Sequence, residues 1–191
     1  MATVTHRLAV DRAESLDPHD LAALCEATNA AIMEGGGFGW VEAQSRAALE
    51  RHFRGALLVP ERELFIARLD GEVVGSAQLV RPPRNNEAQA FSATLTHAFI
   101  APYARGHGLA RLLVRRLEER AAAQGVRVLN LDVRATQESA ITLFEGLGYT
   151  RWGTHPAYAR VNGQTVSGFF YYRLLEAPRG RSTEAVLGPI E

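Results

Sequence analysis

Apolar residues recur along the chain with two periods. From Val4 to Ala13 they alternate with polar ones, as in a half-buried strand. From Asp17 to about Met33 they fall three and four apart, through Leu21, Leu24, Cys25 and Ile32, as in a helix. Asp17-Pro18 supplies an N-cap and a proline at the first helical position, with Asp20 in the first turn. The glycine-rich run Glu34 to Trp40 breaks this helix and carries two exposed-looking aromatics, Phe38 and Trp40. A second helix is predicted over about Ala43 to Leu57, with Leu49, Phe53 and Leu57 as its stripe. Two β-rich runs, Glu63 to Leu69 and Glu72 to Val80, flank Asp70-Gly71, a strong hairpin signal. Leu95 to Ile100 reads as a buried strand, stopped by Pro102, which has no N–H for a ladder. Leu109, Leu112, Leu113 and Leu117 return to helical spacing until about Gly125. Val126 to Val133 is a further buried strand, and Thr136 to Gly146 a helix with Gly148 just past its end. Tyr149 to Gly153 begins another strand. Ala157 to Val161 and Thr165 to Leu175 form a hairpin about Asn162-Gly163.

Hairpins at both ends of a strand–helix–strand–helix unit predict a single α+β domain with a mixed, mostly antiparallel twisted sheet flanked by helices. The domain is expected over residues 1–175. Residues 176–191 mix proline, glycine and charge without period and read as a tail.

Composition narrows the partners. Hydrophobic residues are 47% and charged ones 22% of the 191, ordinary for a globular protein. The formal net charge is zero, so neither nucleic acid nor an anionic membrane is an expected partner. All basic residues are arginine. The single cysteine, Cys25, lies on a helical apolar pattern and is read as a small buried hydrophobe. No apolar run reaches the length of a membrane span and no signal-peptide layout is present, so the expected location is cytoplasmic. No metal-ligating cluster is expected.

The stretch Thr94 to Ala110 carries the clearest chemistry. A strand runs into Arg105-Gly106-His107-Gly108, and a helix opens inside the turn. Glycines let the backbone turn sharply and approach a ligand. The free N–H groups and positive dipole end of a helix N-terminus then make an anion site suited to a phosphate or pyrophosphate. A dinucleotide fold is one alternative, with Asp132 as the ribose acid. It fits poorly, because Arg111 stands at the third glycine position and the preceding strands form hairpins.

Ile100-Ala-Pro-Tyr-Ala-Arg-Gly-His-Gly-Leu-Ala110 resembles the acyl-CoA loop of the GNAT N-acetyltransferases, usually written Gln/Arg-x-x-Gly-x-Gly/Ala. Leu131 to Tyr149 is similar to that family's later strand–helix unit, which ends in Leu-Tyr-x-x-x-Gly-Phe/Tyr. The two blocks stand in the right order and separation. The resemblance implies the acyl-CoA N-acyltransferase fold and acetyl-CoA as cosubstrate. It implies a pyrophosphate held by the amides of Arg105, Gly106, His107, Gly108, Leu109 and Ala110. The pantetheine arm would pair with Ala98, Phe99 and Ile100, the amide near Ile100 facing the developing oxyanion. Gln137 and Phe144 complete the implied cofactor contacts. Phe38 and Trp40 would lie over the acceptor.

An ammonium has no lone pair to attack a thioester, so a base must take a proton, and the leaving thiolate gains from an acid. Here the chain departs from the family. Phe144 stands where many members have a tyrosine that protonates the thiolate, and Tyr103 stands where the loop consensus has Gln or Arg. Thr94 and Thr96 match the acceptor-facing positions of the central strand and can only position a water. Pleat alternation puts His97 on the opposite face, as a packed or capping histidine. Asp132 is the remaining candidate base, with some likeness to the tabtoxin-resistance acetyltransferases at the matching strand. It is equally read as a helix cap or a partner of Arg134. Glu34, Tyr158, Tyr171 and Tyr172 are further polar candidates for the cleft, while the final hairpin's aromatics suit core or a homodimer surface. The expected activity is transfer of acetyl from acetyl-CoA to a primary amine of a small molecule by direct attack in a ternary complex. The alternative is a CoA-binding protein without transfer.

Overall fold

The computed structural model describes residues 5–36 and 39–176. Seven strands form one sheet in the order β1-β2-β3-β4-β5-β7-β6. They are β1 (Leu8–Ala13), β2 (Arg62–Leu69), β3 (Glu72–Val80), β4 (Ser92–Ile100), β5 (Val128–Arg134), β6 (Thr150–Val161) and β7 (Gln164–Leu174). The helices are α1 (Pro18–Met33), α2 (Arg46–Leu58), α3 (Leu109–Ala123) and α4 (Glu138–Gly146). Among the described residues only β4 and β5 pair in parallel; every other pairing is antiparallel. The mixed, mostly antiparallel sheet is therefore as the pattern predicts, and among the described residues β4-α3-β5 is a single βαβ unit rather than the repeats of a dinucleotide fold.

Local chemistry fixes the element ends. Asp17 caps α1 by accepting from the Asp20 amide at 2.8 Å, and Ser45 caps α2. The hairpin turns need left-handed backbone, which Asp70-Gly71 and Asn162-Gly163 supply with φ of 53°, 98°, 50° and 78°. β6 is one strand of 12 residues, with irregularities in its pairing between Arg151 and Gly153 and between His155 and Ala159. The sequence reads the same stretch as two pieces.

The sheet buries both faces of its centre. On β2, Leu64 and Ile66 pack against α1 and α2, while Phe65 and Ala67 join the cluster under α3 and α4. Leu113 and Leu117 of α3 are essentially inaccessible to solvent; burying each stabilises the fold by about 1.5–3 kcal/mol. On β4, Ala93 and Leu95 face the α3 side, as do Leu129, Leu131 and Val133 of β5. Asn130, Asp132 and Arg134 therefore face the side of α1 and α2.

Candidate active site

β4 and β5 start as neighbours and then part. Their registered pairs run only from Ser92 with Val128 to Thr94 with Asn130. Beyond these, β4 continues to Ile100 and β5 to Arg134 without a ladder between them. A β-bulge coincides with this parting. Thr96 pairs with Gln78 and Phe99 with Ser76, so His97 and Ala98 stand against the single residue Ala77. His97 takes φ 52°, rare for a residue with a Cβ. The bulge reverses the alternation. Phe99 packs on the α1–α2 side and Ile100 on the α3 side, and the His97 ring lies 5.4 Å from that of His52 on α2. His97 thus shares a face with Thr96, contrary to the expectation from a regular pleat.

Two cavities open into the gap. The first, of about 640 Å³, is lined by Ala98, Phe99, Ile100, Arg105, Gly106, Gly108, Leu109, Ala110, Gln137 and Phe144, all implied as cofactor contacts by the sequence. His107 is not among its lining residues; its ring sits edge-on to His6 at 4.7 Å and its Nδ1 lies 3.2 Å from the Ala104 carbonyl. Gly106 and Gly108 hold φ of 86° and 80°, and a Cβ at either would meet nothing within 4 Å. The floor of the turn is open to a guest. The first helical bond of α3 runs from Leu112 N to Gly108 O, which leaves the amides of Leu109, Ala110 and Arg111 without a helical carbonyl. No acidic side chain occupies this first turn. Among the described residues the β4–β5 ladder runs no further than Thr94, so an extended arm can add along β4 where the two strands part. These features fit a pyrophosphate with an extended amide chain, as in acetyl-CoA. Two carboxylates, Glu34 and Glu138, line the cavity, and Glu34, past the end of α1, forms an ion pair with Arg105. Both partners are partly exposed, so solvent screens the pair.

The second cavity, of about 480 Å³, is lined by Thr96, His97, Asp132, Arg134, Tyr158 and Arg160, among others. Thr94 lines neither cavity and lies in the paired part of the sheet. Asp132 neither caps a helix nor pairs with Arg134 among the described residues. Its carboxylate accepts the Tyr158 hydroxyl hydrogen, while Arg134 donates to the Gly35 and Gly36 carbonyls. Gln137, at the N-cap of α4, also donates to Gly35 O at 3.0 Å. Burial first, and then the Asp132 carboxylate, hold the Tyr158 hydroxyl well above the usual phenol range. The Tyr158 ring lies on Gly168 of β7, where a Cβ would come within 2.2 Å of Cγ.

Behind this wall lies a half-buried polar network. His97 Nδ1 and Thr96 Oγ1 share a hydrogen bond at 3.0 Å, and Gln78 lies 3.5 Å from His52 Nε2 while accepting from Arg62. Burial first, then the charges of His52 and Arg62, push the His97 imidazole down to about 4, against the opposing pull of Asp132. His97 is therefore neutral at pH 7. Trp40 is half-buried and packs edge-on to His52 at 5.0 Å, so it is not the exposed aromatic its loop suggests. Phe38 lies outside the described residues. Tyr171 is buried on the opposite side of the sheet, where it donates to Glu145.

Ala98, Gln137, Ala140 and Phe144 line both cavities. A group bound in the first cavity and one bound in the second can meet there. Sequence reasoning finds the first cavity through its glycines. It misses the place of His97, because nothing local to β4 announces the bulge, and it leaves Tyr158 as one of several tyrosines.

A model of the acetyltransferase (GNAT) family matches residues 27–149. An Azospirillum brasilense protein described as an uncharacterized N-acetyltransferase in the hisH-hisA intergenic region is 58% identical over 130 residues, covering 68% of this chain and 77% of that protein. The structure of an N-acetyltransferase from Staphylococcus aureus superposes with a TM-score of 0.76 at 22% identity, over 89% of this chain and 99% of that one. The Salmonella typhimurium acetyltransferase YncA, solved with acetyl-CoA, gives 0.72 at 19% identity, over 91% and 96%.

Proposed function

The chain belongs to the acetyltransferase (GNAT) family, and from that premise we propose that it transfers acetyl from acetyl-CoA to the primary amine of a small molecule. The observation that carries this reading is the junction of the two cavities at Ala98, Gln137, Ala140 and Phe144. A carrier in one cavity and an amine in the other would react there directly.

Acetyl-CoA, when bound, supplies an activated acetyl thioester. The chain's residues do the rest. The amides from Gly106 to Ala110 hold the pyrophosphate by hydrogen bonds and the α3 dipole. The β4 backbone from Ala98 to Ile100 orients the arm, and Phe144 packs against it. The Asp132 carboxylate, oriented by Tyr158, draws the ammonium into the second cavity and takes a proton from it. Thr96 holds a water beside that path. The neutral net charge suits a small acceptor better than a polyanion.

One observation favours a second reading, binding of CoA without transfer. Phe144 is an apolar ring at the junction and cannot donate a proton. Release of free thiol from acetyl-CoA, followed across a panel of small primary amines, decides between the two. Amine-dependent release supports transfer. Binding of acetyl-CoA by calorimetry with no release for any amine would establish the second reading.

A further inference from the structure

The proposed reaction leaves a proton unassigned. Converting an ammonium and a thioester into an amide and a thiol requires two protons to leave nitrogen and one to reach sulfur. Asp132 takes the first proton from the ammonium. After the C–N bond forms, the nitrogen carries a second, strongly acidic proton, and as the C–S bond breaks the sulfur becomes a thiolate that needs one. Phe144 cannot donate it.

Resting on that reading, we infer that His97 is the proton shuttle: it takes the second proton from nitrogen and gives it to the departing sulfur. Three structural features converge on this residue. The bulge puts its side chain on the face of Thr96, and His97 lines the same cavity as Asp132 and Tyr158. It directly precedes Ala98, one of the four residues where the two cavities meet. Its backbone holds a left-handed φ of 52°, rare for a residue with a Cβ, at the bulge that sets its face. When Nδ1–H donates to Thr96 Oγ1 at 3.0 Å, the basic lone pair is on Nε2.

The electrostatics suit a shuttle better than a resting base. The charged and titratable groups that act on the ring include His52 from α2, Arg62 from β2 and Asp132 from β5; Gln78 from β3 bonds Arg62 and lies 3.5 Å from His52, and Tyr158 from β6 lines the same cavity. Burial and the nearby cation keep the ring neutral at rest, so it does not repel an incoming ammonium. An imidazolium in the same place is more acidic than an ordinary one. It can form only by taking a proton from a more acidic nitrogen, and it gives that proton readily to a thiolate. Hydrogen bonding and charge are thus matched to the second proton, as the Asp132 carboxylate is to the first.

The test combines two substitutions. His97→Asn keeps a residue tolerant of left-handed backbone, so the fold is retained; His97→Gln repeats the measurement with a longer side chain. Either is expected to lower turnover on the order of a hundredfold, leaving acetyl-CoA affinity by calorimetry unchanged. Adding Phe144→Tyr to His97→Asn gives the sulfur a phenol, and is expected to raise turnover about tenfold or more above that of His97→Asn. Independently of activity, the imidazole nitrogen shifts of His97 in ¹⁵N-labelled protein are expected to remain those of a neutral ring at pH 6. Turnover of His97→Asn and His97→Gln within about threefold of the parent, a double variant no faster than His97→Asn, or a His97 ring already cationic at pH 6 would each overturn the assignment. These outcomes require a parent that acetylates an amine. A parent that releases no thiol with any amine would instead bring down the underlying reading, and the shuttle with it.

Discussion

Tyr158 of β6 donates its phenolic hydrogen to Asp132 of β5, reaching over the intervening strand β7. It can do so because Gly168 of β7 lies beneath its ring without a Cβ. Tyr158 lies within the irregular pairing of β6 between His155 and Ala159. A carboxylate held from the far edge of the sheet has a fixed direction where it lines the second cavity, the orientation that its proposed role as base requires.

The relation separates the two roles open to Asp132. Asp132→Asn keeps the size and can still accept from Tyr158. If the carboxylate is the base, turnover is expected to fall on the order of a hundred- to ten-thousand-fold, with acetyl-CoA affinity unchanged. Gly168→Ala leaves the carboxylate in place but pushes the Tyr158 ring away, and is expected to lower kcat about tenfold or more with the same unchanged affinity. Steady-state kinetics beside calorimetry check both. Turnover of Asp132→Asn within about threefold of the parent would leave Asp132 as a packing partner of Tyr158 only.

Gly108 tests the phosphate site. At φ 80° any side chain is strained by about 1–2 kcal/mol, yet a Cβ there meets no neighbour. Gly108→Ala and Gly108→Glu therefore share the strain and differ in bulk and charge over the turn. The expected result is a modest drop in Tm for both. Calorimetry should show weakened acetyl-CoA binding for alanine and none for glutamate. Equal affinities for the two variants would move the pyrophosphate away from this turn.

Acid stability follows from His97. Its folded pKa of about 4 lies below the ordinary 6.5, so the unfolded chain binds more protons in the window between them. The stabilising effect of the neutral ring is complete above about 6.5 and is lost as the pH falls toward 4. His52, lowered by burial and by Arg62, acts in the same direction. Urea unfolding at pH 4.5 and 7.5 is expected to show a smaller loss of stability for His97→Asn than for the parent. An identical pH dependence in both would place the burden on other groups.

How much of this was legible in the sequence depends on how local each cause is. The Asp70-Gly71 and Asn162-Gly163 hairpins, the Asp17 cap and the Gly108 helix start are set by residues within a turn of one another, and the chain states them directly. The bulge at His97 is set by how β4 pairs with β3, two residues against Ala77, and no residue near His97 is a glycine that would mark it. Regular alternation therefore puts this side chain on the wrong face. It also makes Thr94 look equivalent to Thr96, although β4 and β5 part only after Thr94. Trp40 looks exposed because its neighbours are glycines, but His52, distant in sequence, covers its edge. The partner of Asp132 was equally hidden: Arg134 is nearest in sequence, whereas Tyr158 arrives from another strand.

The central claim is that an acetyl donor and an amine occupy the two cavities together and react where these meet. Initial rates measured over a matrix of acetyl-CoA and amine concentrations test it most directly. Lines that intersect in a double-reciprocal plot are the expected result, since both reactants must be bound before either product leaves. Parallel lines, with acetyl remaining on the protein after CoA has left, would contradict direct transfer at the junction of Ala98, Gln137, Ala140 and Phe144.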